Sequence, residues 1–129
     1  MITVFTPTYN RAYSLPRLYE SLKAQKYKNF EWLIVDDGST DNTKKVIETT
    51  IEKNKDKFPI RYFYKQNGGK HTAINYGVKE AKGELFLILD SDDSLPNDSL
   101  EKIQNAYKKS KEERRENYSS PDTGSLTAG

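Results

Sequence analysis

The sequence predicts an α/β domain in which a mainly parallel sheet carries helices on both faces. Four short apolar runs, rich in β-branched and aromatic residues, recur along the first 90 residues. Their near-continuous apolar character is typical of strands that are covered on both sides. Stretches with apolar residues at helical spacing lie between and after these runs. Strands that alternate with helices form right-handed crossovers, and these produce a parallel sheet.

The four strands are predicted where the apolar runs are bounded by polar or turn-forming residues. These runs are residues 2–5 (ITVF), 32–35 (WLIV), 60–64 (IRYFY) and 85–89 (LFLIL). The order along the chain is therefore β-α-β-α-β-α-β-α, with one helix after each strand.

The four helices are predicted from apolar residues that recur every three or four positions. The stripes are Leu15, Leu18, Tyr19 and Leu22; Val46, Ile47 and Ile51; Ala73, Ile74, Gly77, Val78 and Ala81; and Leu100, Ile103 and Tyr107. Ser14 is expected to cap the first helix, and Asp41 or Thr43 the second. Gly83 is expected to end the third helix.

The domain is expected to span residues 1–110, and residues 111–129 are expected to be a charged and then low-complexity tail without order. The charged run 108–116 could instead extend the last helix into solvent. A length of 129 residues fits one domain or part of one. The longest apolar run, 85–89, is too short to span a membrane, and residues 1–10 lack the pattern of a signal peptide.

Composition excludes several classes of function. The chain has no cysteine, which excludes disulfide scaffolds, cysteine-bound zinc and thiol nucleophiles. Lys and Arg number 21 against 19 for Asp and Glu, a formal net charge of +2. So small an excess gives no reason to expect a nucleic-acid partner.

Polar residues follow all four predicted strands, at the ends where open parallel sheets bind ligands. These ends are residues 6–10 (TPTYN), 36–39 (DDGS), 67–71 (NGGKH) and 90–93 (DSDD). Two of the four carry clustered carboxylates. The sequence therefore predicts a polar binding site at this edge of the sheet.

Asp90, Asp92 and Asp93 are candidates for a metal site. Three carboxylates this close repel one another unless a cation lies among them, and hard oxygen ligands favour Mg²⁺ or Mn²⁺. The alternative is a helix-capping turn before Pro96, because Asp and Ser are good caps. The second acidic strand end nearby favours the metal.

Each of the other polar strand ends allows two interpretations. Asp36 and Asp37 could hold a sugar hydroxyl or base edge of a nucleotide, or could form a plain turn. Lys70 follows two glycines at a helix start, where it suits a phosphate oxygen or is simply solvated. Tyr9 could stack on a base or pack under the sheet edge. The only histidine, His71, lacks the partners of a catalytic residue.

Two nucleotide-binding motifs are absent. Residues 67–72 lack the glycine spacing of a phosphate-binding Walker loop, and no Gly-x-Gly-x-x-Gly follows the first strand. The nucleoside triphosphatase and nicotinamide dehydrogenase interpretations therefore lose their main support.

Four blocks of the sequence resemble successive blocks of the family 2 glycosyltransferases, which have the GT-A fold. The blocks are VFTPTYNR at 4–11, VDDGSTD at 35–41, NGG to AxNxG at 67–77, and LDSDD at 89–93. They occur in order and the resemblance covers residues 2 to about 107. The chain is identified as a member of this family by its motifs.

The resemblance implies a transferase that moves a sugar from a nucleotide-diphosphate sugar, usually a UDP-sugar, to an acceptor hydroxyl. It implies Mg²⁺ or Mn²⁺ bound through an Asp-x-Asp (DXD) motif. The implied donor-binding residues are Thr6, Pro7, Tyr9, Asp36, Asp37, Lys70, Asp90 and Ser91. The implied metal ligands are Asp92 first, with Asp90 facing the ribose or a metal-bound water, and Asp93 as a rival to Asp92.

The family also implies a cellular setting. We expect a carbohydrate or lipid-linked acceptor, a role in cell-envelope polysaccharide biosynthesis and a cytoplasmic location. Peripheral attachment to the inner face of a membrane stays open.

One departure from the family concerns the catalytic base. Inverting members use a carboxylate well downstream of Asp-x-Asp, and few residues follow Asp93 here, so no base is nominated. The sequence suggests the donor-binding half of an enzyme, cut before the acceptor half. An exposed sheet edge is then expected, which could pair with a second copy, as a homodimer, or aggregate. The alternative function is a nucleotide or nucleotide-sugar binding module without transfer activity. A phospho-acceptor domain needs an isolated acceptor Asp and a lysine at the end of a late strand, and the sequence offers no clear match to that pair.

Overall fold

The computed structural model describes residues 1–55 and 57–118, and it confirms the predicted alternation of strands and helices. The elements are β1 (Ile2–Thr8), α1 (Leu15–Lys23), β2 (Phe30–Asp37), α2 (Thr43–Asn54), β3 (Ile60–Lys65), α3 (Lys70–Glu80), β4 (Leu85–Ile88) and α4 (Ser99–Tyr118). Each strand coincides with one of the four apolar runs.

The four strands form one parallel sheet in the order β3-β2-β1-β4. β1 is interior and pairs with both neighbours, so that Ile2 lies opposite Phe30 on one side and Leu85 on the other. All seven residues of β1 and all eight of β2 are buried. This burial explains why these two strands lack the apolar–polar alternation of a solvent-facing sheet.

Side chains alternate between the two faces of the sheet, and each face has its own apolar core. One core joins even-numbered residues of β1 and β2 to α1, α2 and α4. The other joins odd-numbered residues to α3, as in the packing of Phe5, Leu33 and Val35 around Ala73. The prediction of helices on both faces is confirmed.

Gly77 sets how closely α3 approaches the sheet. A Cβ at this position would lie 2.2 Å from Cε1 of Phe5, a separation that no packed pair of carbons adopts. The absence of a side chain therefore lets α3 lie directly on the ring of Phe5.

The structure corrects some of the predicted helix ends. Ser14 occupies the N-cap of α1, but its hydroxyl donates to the carbonyl of Arg11 and makes no capping bond. Asp41 accepts from the backbone N–H of Thr43 at 2.9 Å, so its carboxylate satisfies the first turn of α2. The C-cap of α3 is Ala81, not Gly83, because the backbone becomes extended at Ala81. Gly83 lies beyond the helix and donates its N–H to Thr3 Oγ1.

Helix α4 continues through residue 118, past the domain end expected at residue 110. Lys, Glu and Arg fill residues 111–116 without Gly or Pro, and these are good helix formers. The rest of the expected tail, residues 119–129, lies outside the described residues. In the part of the chain that the structure describes, no helix is both long and apolar enough to cross a membrane.

Candidate functional site

A cleft of about 470 Å³ lies at the carboxyl ends of β1, β2 and β4, beside the N-terminus of α3. Its walls come from four chain segments that are distant in sequence. The lining residues are Pro7, Thr8, Tyr9, Arg11, Asp37, Asn67, Gly69, Lys70, Ala73, Asp90, Ser91 and Asp92. Of the residues expected at the donor or the metal, seven line this one cleft.

The first wall is the end of β1 and the residues that follow it. Pro7 and Thr8 close the strand, and Tyr9 exposes 45% of its surface beside them. Asn10 adopts a positive φ of 52°, and its side-chain oxygen accepts from the backbone N–H groups of Thr40 and Asp41. Asn10 thereby fixes the loop after β2 against the loop after β1, and this holds Tyr9 at the rim.

Asp37 forms the floor of the cleft and organises the turn before α3. Its carboxylate accepts from Lys65 Nζ at 2.8 Å and from the backbone N–H groups of Gly68 and Gly69, each at 2.9 Å. Burial alone would raise the pKa of Asp37, but these hydrogen bonds and the charge of Lys65 outweigh it and lower the pKa. Asp37 is therefore a fixed anion that is already fully engaged.

Gly38, which follows Asp37, has a positive φ of 81° and packs against the turn before α3. A Cβ there would lie 2.7 Å from the backbone nitrogen of Asn67. Asn67 in turn donates its side-chain N–H to the carbonyl of Asp37. The loops after β2 and β3 are thus in direct contact beneath the cleft.

Lys70 and Asp90 face each other across the opening. Lys70 Nζ lies 3.0 Å from Asp90 Oδ1, and the two side chains are 60% and 46% exposed. An ion pair this exposed contributes little to stability. Both groups can therefore change partner when a charged ligand enters.

The turn after β4 presents the carboxylates of the fourth segment. Asp90 and Asp92 line the cleft, whereas Asp93 turns back so that its carboxylate accepts from the N–H of Asp90 at 3.1 Å. Arg17 of α1 donates to the carbonyl of Asp92 at 2.9 Å. One hydrogen bond therefore closes the turn and the other ties it to α1.

Three of the expected site residues are not brought to the cleft wall. Thr6 is fully buried and accepts from the indole N–H of Trp32 at 2.9 Å. Asp36 is also fully buried, and its carboxylate accepts from Ser39 N and from the hydroxyl of Tyr62. Their even positions place both side chains on the α1–α2 face of the sheet. Asp93 is the third, because its carboxylate closes the turn.

Sequence reasoning missed other residues of the cleft and its supports. Arg11 and Asn67 line the cleft directly. Both lie within the sequence blocks that resemble the family, so those blocks could have indicated them as site residues. Lys65 and Arg17 act from outside the cleft through Asp37 and the carbonyl of Asp92. No local pattern marks these last two, because each partner lies far away in the sequence.

The carboxylates suit a divalent cation that shares its ligands with a phosphate group. Among residues 1–55 and 57–118 no three His, Cys, Asp or Glu side chains converge on one point. Asp90 and Asp92 nevertheless line the same cleft. Mg²⁺ in proteins is held by one or two carboxylates, with the remaining positions taken by water and substrate phosphate. Two carboxylates in the cleft fit a metal ion of this kind. They are too few for a site in which protein side chains fill every coordination position.

Comparison with known proteins gives consistent matches over most of the chain. The sequence model of the family described as Glycosyl transferase family 2 matches residues 3–113. An uncharacterized glycosyltransferase of Rickettsia felis is 45% identical over 100 residues, which are 78% of this chain and 16% of that protein. The chain therefore spans a small part of the length of this relative.

Two solved structures share the fold at recognisable sequence identity. S. aureus TarS 1–349 in complex with UDP-GlcNAc matches with a TM-score of 0.72 and 32% identity, over 81% of this chain and 30% of that one. The mannosyltransferase PcManGT from Pyrobaculum calidifontis, in complex with GDP-Man and Mn²⁺, matches with a TM-score of 0.70 and 28% identity, over 74% of this chain and 28% of that one.

Proposed function

The chain belongs to glycosyl transferase family 2 and has the GT-A fold, and we propose that its cleft binds a nucleotide-diphosphate sugar whose sugar is transferred to an acceptor hydroxyl. A UDP-sugar is the proposed donor, because TarS 1–349 is known in complexes with UDP and UDP-GlcNAc. GDP-Man, bound by PcManGT, shows that a purine donor also occurs on this fold. A carbohydrate or lipid-linked acceptor is part of the proposal.

The observation that carries the proposal is the mixture of charges in one cleft. Lys70 at the start of α3 offers a cation and a helix N-terminus, both of which favour phosphate oxygens. Asp90 and Asp92 face the same space and would repel a diphosphate. A divalent cation between the carboxylates and the diphosphate would attract both. It would therefore explain why Lys70 and the two carboxylates line the same cleft.

The remaining walls suit the nucleoside. Pro7 and Tyr9 provide an apolar and an aromatic surface, on which a base can stack. Asn67 provides an amide close by, and Asp37 keeps it in place. We assign the nucleoside to this side of the cleft and the diphosphate to the side of Lys70.

Asp92 is the proposed first ligand of Mg²⁺ or Mn²⁺, with Asp90 as the second group at the ion. Asp93 is unsuited to that role, because its carboxylate is bonded to the N–H of Asp90 within the turn. When bound, the ion supplies Lewis-acid stabilisation of the charge that develops on the departing diphosphate. Lys70 would exchange Asp90 for a phosphate oxygen and stabilise the same charge.

A second candidate function is donor binding without transfer. A general base must reach the acceptor hydroxyl. Within the described ranges, the carboxylates that line the cleft are Asp37, Asp90 and Asp92. Asp37 is fully engaged and the other two are assigned to the metal, so none of them is available as the base.

The test is calorimetric titration of UDP into the protein with Mn²⁺ and then with EDTA. We expect binding with Mn²⁺ and at least a tenfold loss of affinity with EDTA. Asp92→Asn should show the same loss in the presence of Mn²⁺ while its thermal unfolding is unchanged. Asp98→Asn, outside the cleft, is the matched control and should bind as the wild type does.

Either of two results would contradict the proposal. UDP binding that is absent in both conditions would reject the donor site, and unchanged Mn²⁺-dependent affinity in Asp92→Asn would reject the assigned ligand. Release of free sugar from UDP-GlcNAc or UDP-glucose separates the two candidate functions. Hydrolysis supports an assembled transfer site, and tight UDP binding without hydrolysis supports the binding module.

A further inference from the structure

The turn that follows β4, residues 90–93, is closed by its own hydrogen bonds. Asp93 donates its backbone N–H to the carbonyl of Asp90 at 3.0 Å, and the carboxylate of Asp93 accepts from the N–H of Asp90 at 3.1 Å. Both bonds join the two ends of the turn. Neither of them involves Asp92, the proposed first ligand of the ion.

Contacts from two helices hold this turn from outside. On the side of α3, Lys70 Nζ lies 3.0 Å from Asp90 Oδ1. On the side of α1, Arg17 Nη2 donates to the carbonyl of Asp92 at 2.9 Å. The proposed function removes the first contact, because Lys70 exchanges Asp90 for a phosphate oxygen of the donor. The bond from Arg17 ends on a backbone oxygen that is assigned to neither the ion nor the donor, so it can persist in the loaded cleft.

The region of α1 is a firm support for this bond. Just after the helix ends, the fully buried side chain of Gln25 donates to the carbonyl of Pro96 at 2.7 Å and accepts from the N–H of Leu100 at 3.1 Å. The segment that follows the turn is therefore attached to the same helix region as the turn itself. The apolar side chains of α1 pack in the core, and each of them is at most 5% exposed: Leu15, Leu18, Tyr19 and Leu22.

We infer that Arg17 is a positioning residue, whose bond to the carbonyl of Asp92 holds the turn in the conformation that binds Mg²⁺ or Mn²⁺. This inference rests on the proposed function and deepens it by naming a residue outside the cleft that sets the affinity for the metal. The rotamers open to a side chain depend on its backbone dihedral angles, so fixing the carbonyl of Asp92 also restricts where its carboxylate lies. A turn that adopts the binding conformation only part of the time binds its ligand more weakly by that fraction.

The charge of Arg17, acting alone, would have the opposite effect on the metal. A guanidinium group beside the turn repels Mn²⁺, so removing only the charge should strengthen Mn²⁺ binding. Losing the bond to Asp92 should weaken it instead. The direction of the change therefore separates a positioning role from a purely electrostatic one.

The experiment compares Arg17→Met with the wild type by calorimetric titration of UDP at a series of Mn²⁺ concentrations. Methionine keeps an unbranched stem and removes the N–H donors of arginine. We expect the Mn²⁺ concentration that gives half of the maximal UDP affinity to rise about three- to tenfold, as for a turn that is competent about a third to a tenth of the time. Arg17→Lys keeps the charge and a donor, and its value should lie between the two.

The melting temperature of Arg17→Met without ligand should change by less than about 2 °C, because Arg17 and Asp92 are both exposed. Lys23→Met is the matched control. It removes one positive charge from the same helix, at a residue that pairs with Glu20 at 3.2 Å. Its Mn²⁺ dependence should stay within about twofold of the wild type, since additive effects are expected for sites without shared partners.

Three outcomes overturn the inference alone, and one overturns more. If the wild type binds UDP and Arg17→Met needs the same Mn²⁺ concentration or a lower one, Arg17 does not position the turn. If Arg17→Met melts several degrees lower, the bond supports the fold as a whole. If Lys23→Met shifts the Mn²⁺ dependence equally, the loss of any positive charge explains the effect. If the wild type does not bind UDP with or without Mn²⁺, the proposed function fails and this inference fails with it.

Discussion

At the scale of single residues, Asp37 connects the elements that surround the cleft. One carboxylate joins Lys65 of β3 to the two glycine N–H groups that precede α3. Asp37→Asn keeps the size of the side chain but removes its negative charge and replaces one of its two acceptor oxygens with an NH2 group. It leaves the ammonium group of Lys65, which is 18% exposed, without a counter-ion.

We predict that Asp37→Asn lowers the free energy of unfolding by about 2–4 kcal/mol, because breaking a buried ion pair leaves an uncompensated charge. Urea unfolding followed by circular dichroism measures the change. Glu52→Gln is the control, since Glu52 and Lys55 form an ion pair in which both side chains are more than 70% exposed. It should change stability by less than about 0.5 kcal/mol. Equal effects in the two variants would refute the organising role of Asp37.

At the scale of elements, the position of α3 depends on its contact with β1. Alanine normally stabilises a helix by about 1 kcal/mol relative to glycine. In Gly77→Ala, however, the new methyl group would lie 2.2 Å from the ring of Phe5. Either the ring or the helix must move, and α3 carries Lys70 into the cleft.

We therefore predict that Gly77→Ala destabilises the protein by about 1–3 kcal/mol, the usual effect of overpacking. Lys79→Ala, on the exposed side of the same helix, should be neutral to within about 0.5 kcal/mol. Thermal unfolding of both variants checks the prediction. A Gly77→Ala variant that melts higher than the wild type would mean that α3 does not lie against Phe5 as closely as described.

At the scale of the whole molecule, two buried carboxylates link stability to acid pH. Burial alone would raise the pKa of Glu31 and of Asp37, but hydrogen bonds and nearby cations outweigh burial and lower both from ordinary values of 4.5 and 3.8. For Glu31 these partners are Arg61, Thr3 and the N–H of Lys82. A lowered pKa in the folded state contributes stability above the unfolded pKa, and this is lost as the pH falls through the folded pKa.

We expect the urea midpoint to be nearly constant with respect to these two groups above about pH 5.5 and to fall below the ordinary pKa values of the two groups. Asp37→Asn should show a shallower loss over the same range, because one of the two linked groups is gone. A midpoint that rises toward acid pH, or a variant that keeps the full wild-type slope, would contradict this assignment.

The sequence predicts much of the fold and a smaller part of the cleft. Every strand and helix could be placed, because burial on both faces produces continuous apolar runs and helical stripes. Strand ends were harder to place, since the polar residues Thr6, Thr8 and Asp36 still belong to strands. The polar strand ends predicted a site, and seven of the expected residues line one cleft.

The rest depends on distances that a linear pattern does not contain. Asp36 and Asp37 are neighbours in β2, so their side chains lie on opposite faces of the sheet. Which of the two faces the cleft depends on which face α3 covers, and the sequence alone does not show this. Arg17 supports Asp92 across 75 positions of sequence. The hydroxyl of Thr8 is buried and makes no hydrogen bond within the described residues, and this could be recognised only once the atoms around it had been placed.

The interior position of β1 also bears on how the chain reaches this structure. β1 is the first strand, yet its pairs with β4 join Ile2 to Leu85, with most of the described chain between them. Such distant pairing carries a high cost in loop closure and slows folding. During synthesis, β1 and β2 can pair early, but one edge of β1 stays open until β4 leaves the ribosome. One edge of β1 is therefore unpaired in the nascent chain until β4 has been synthesised, and the risk of wrong pairing at that edge is greatest before then.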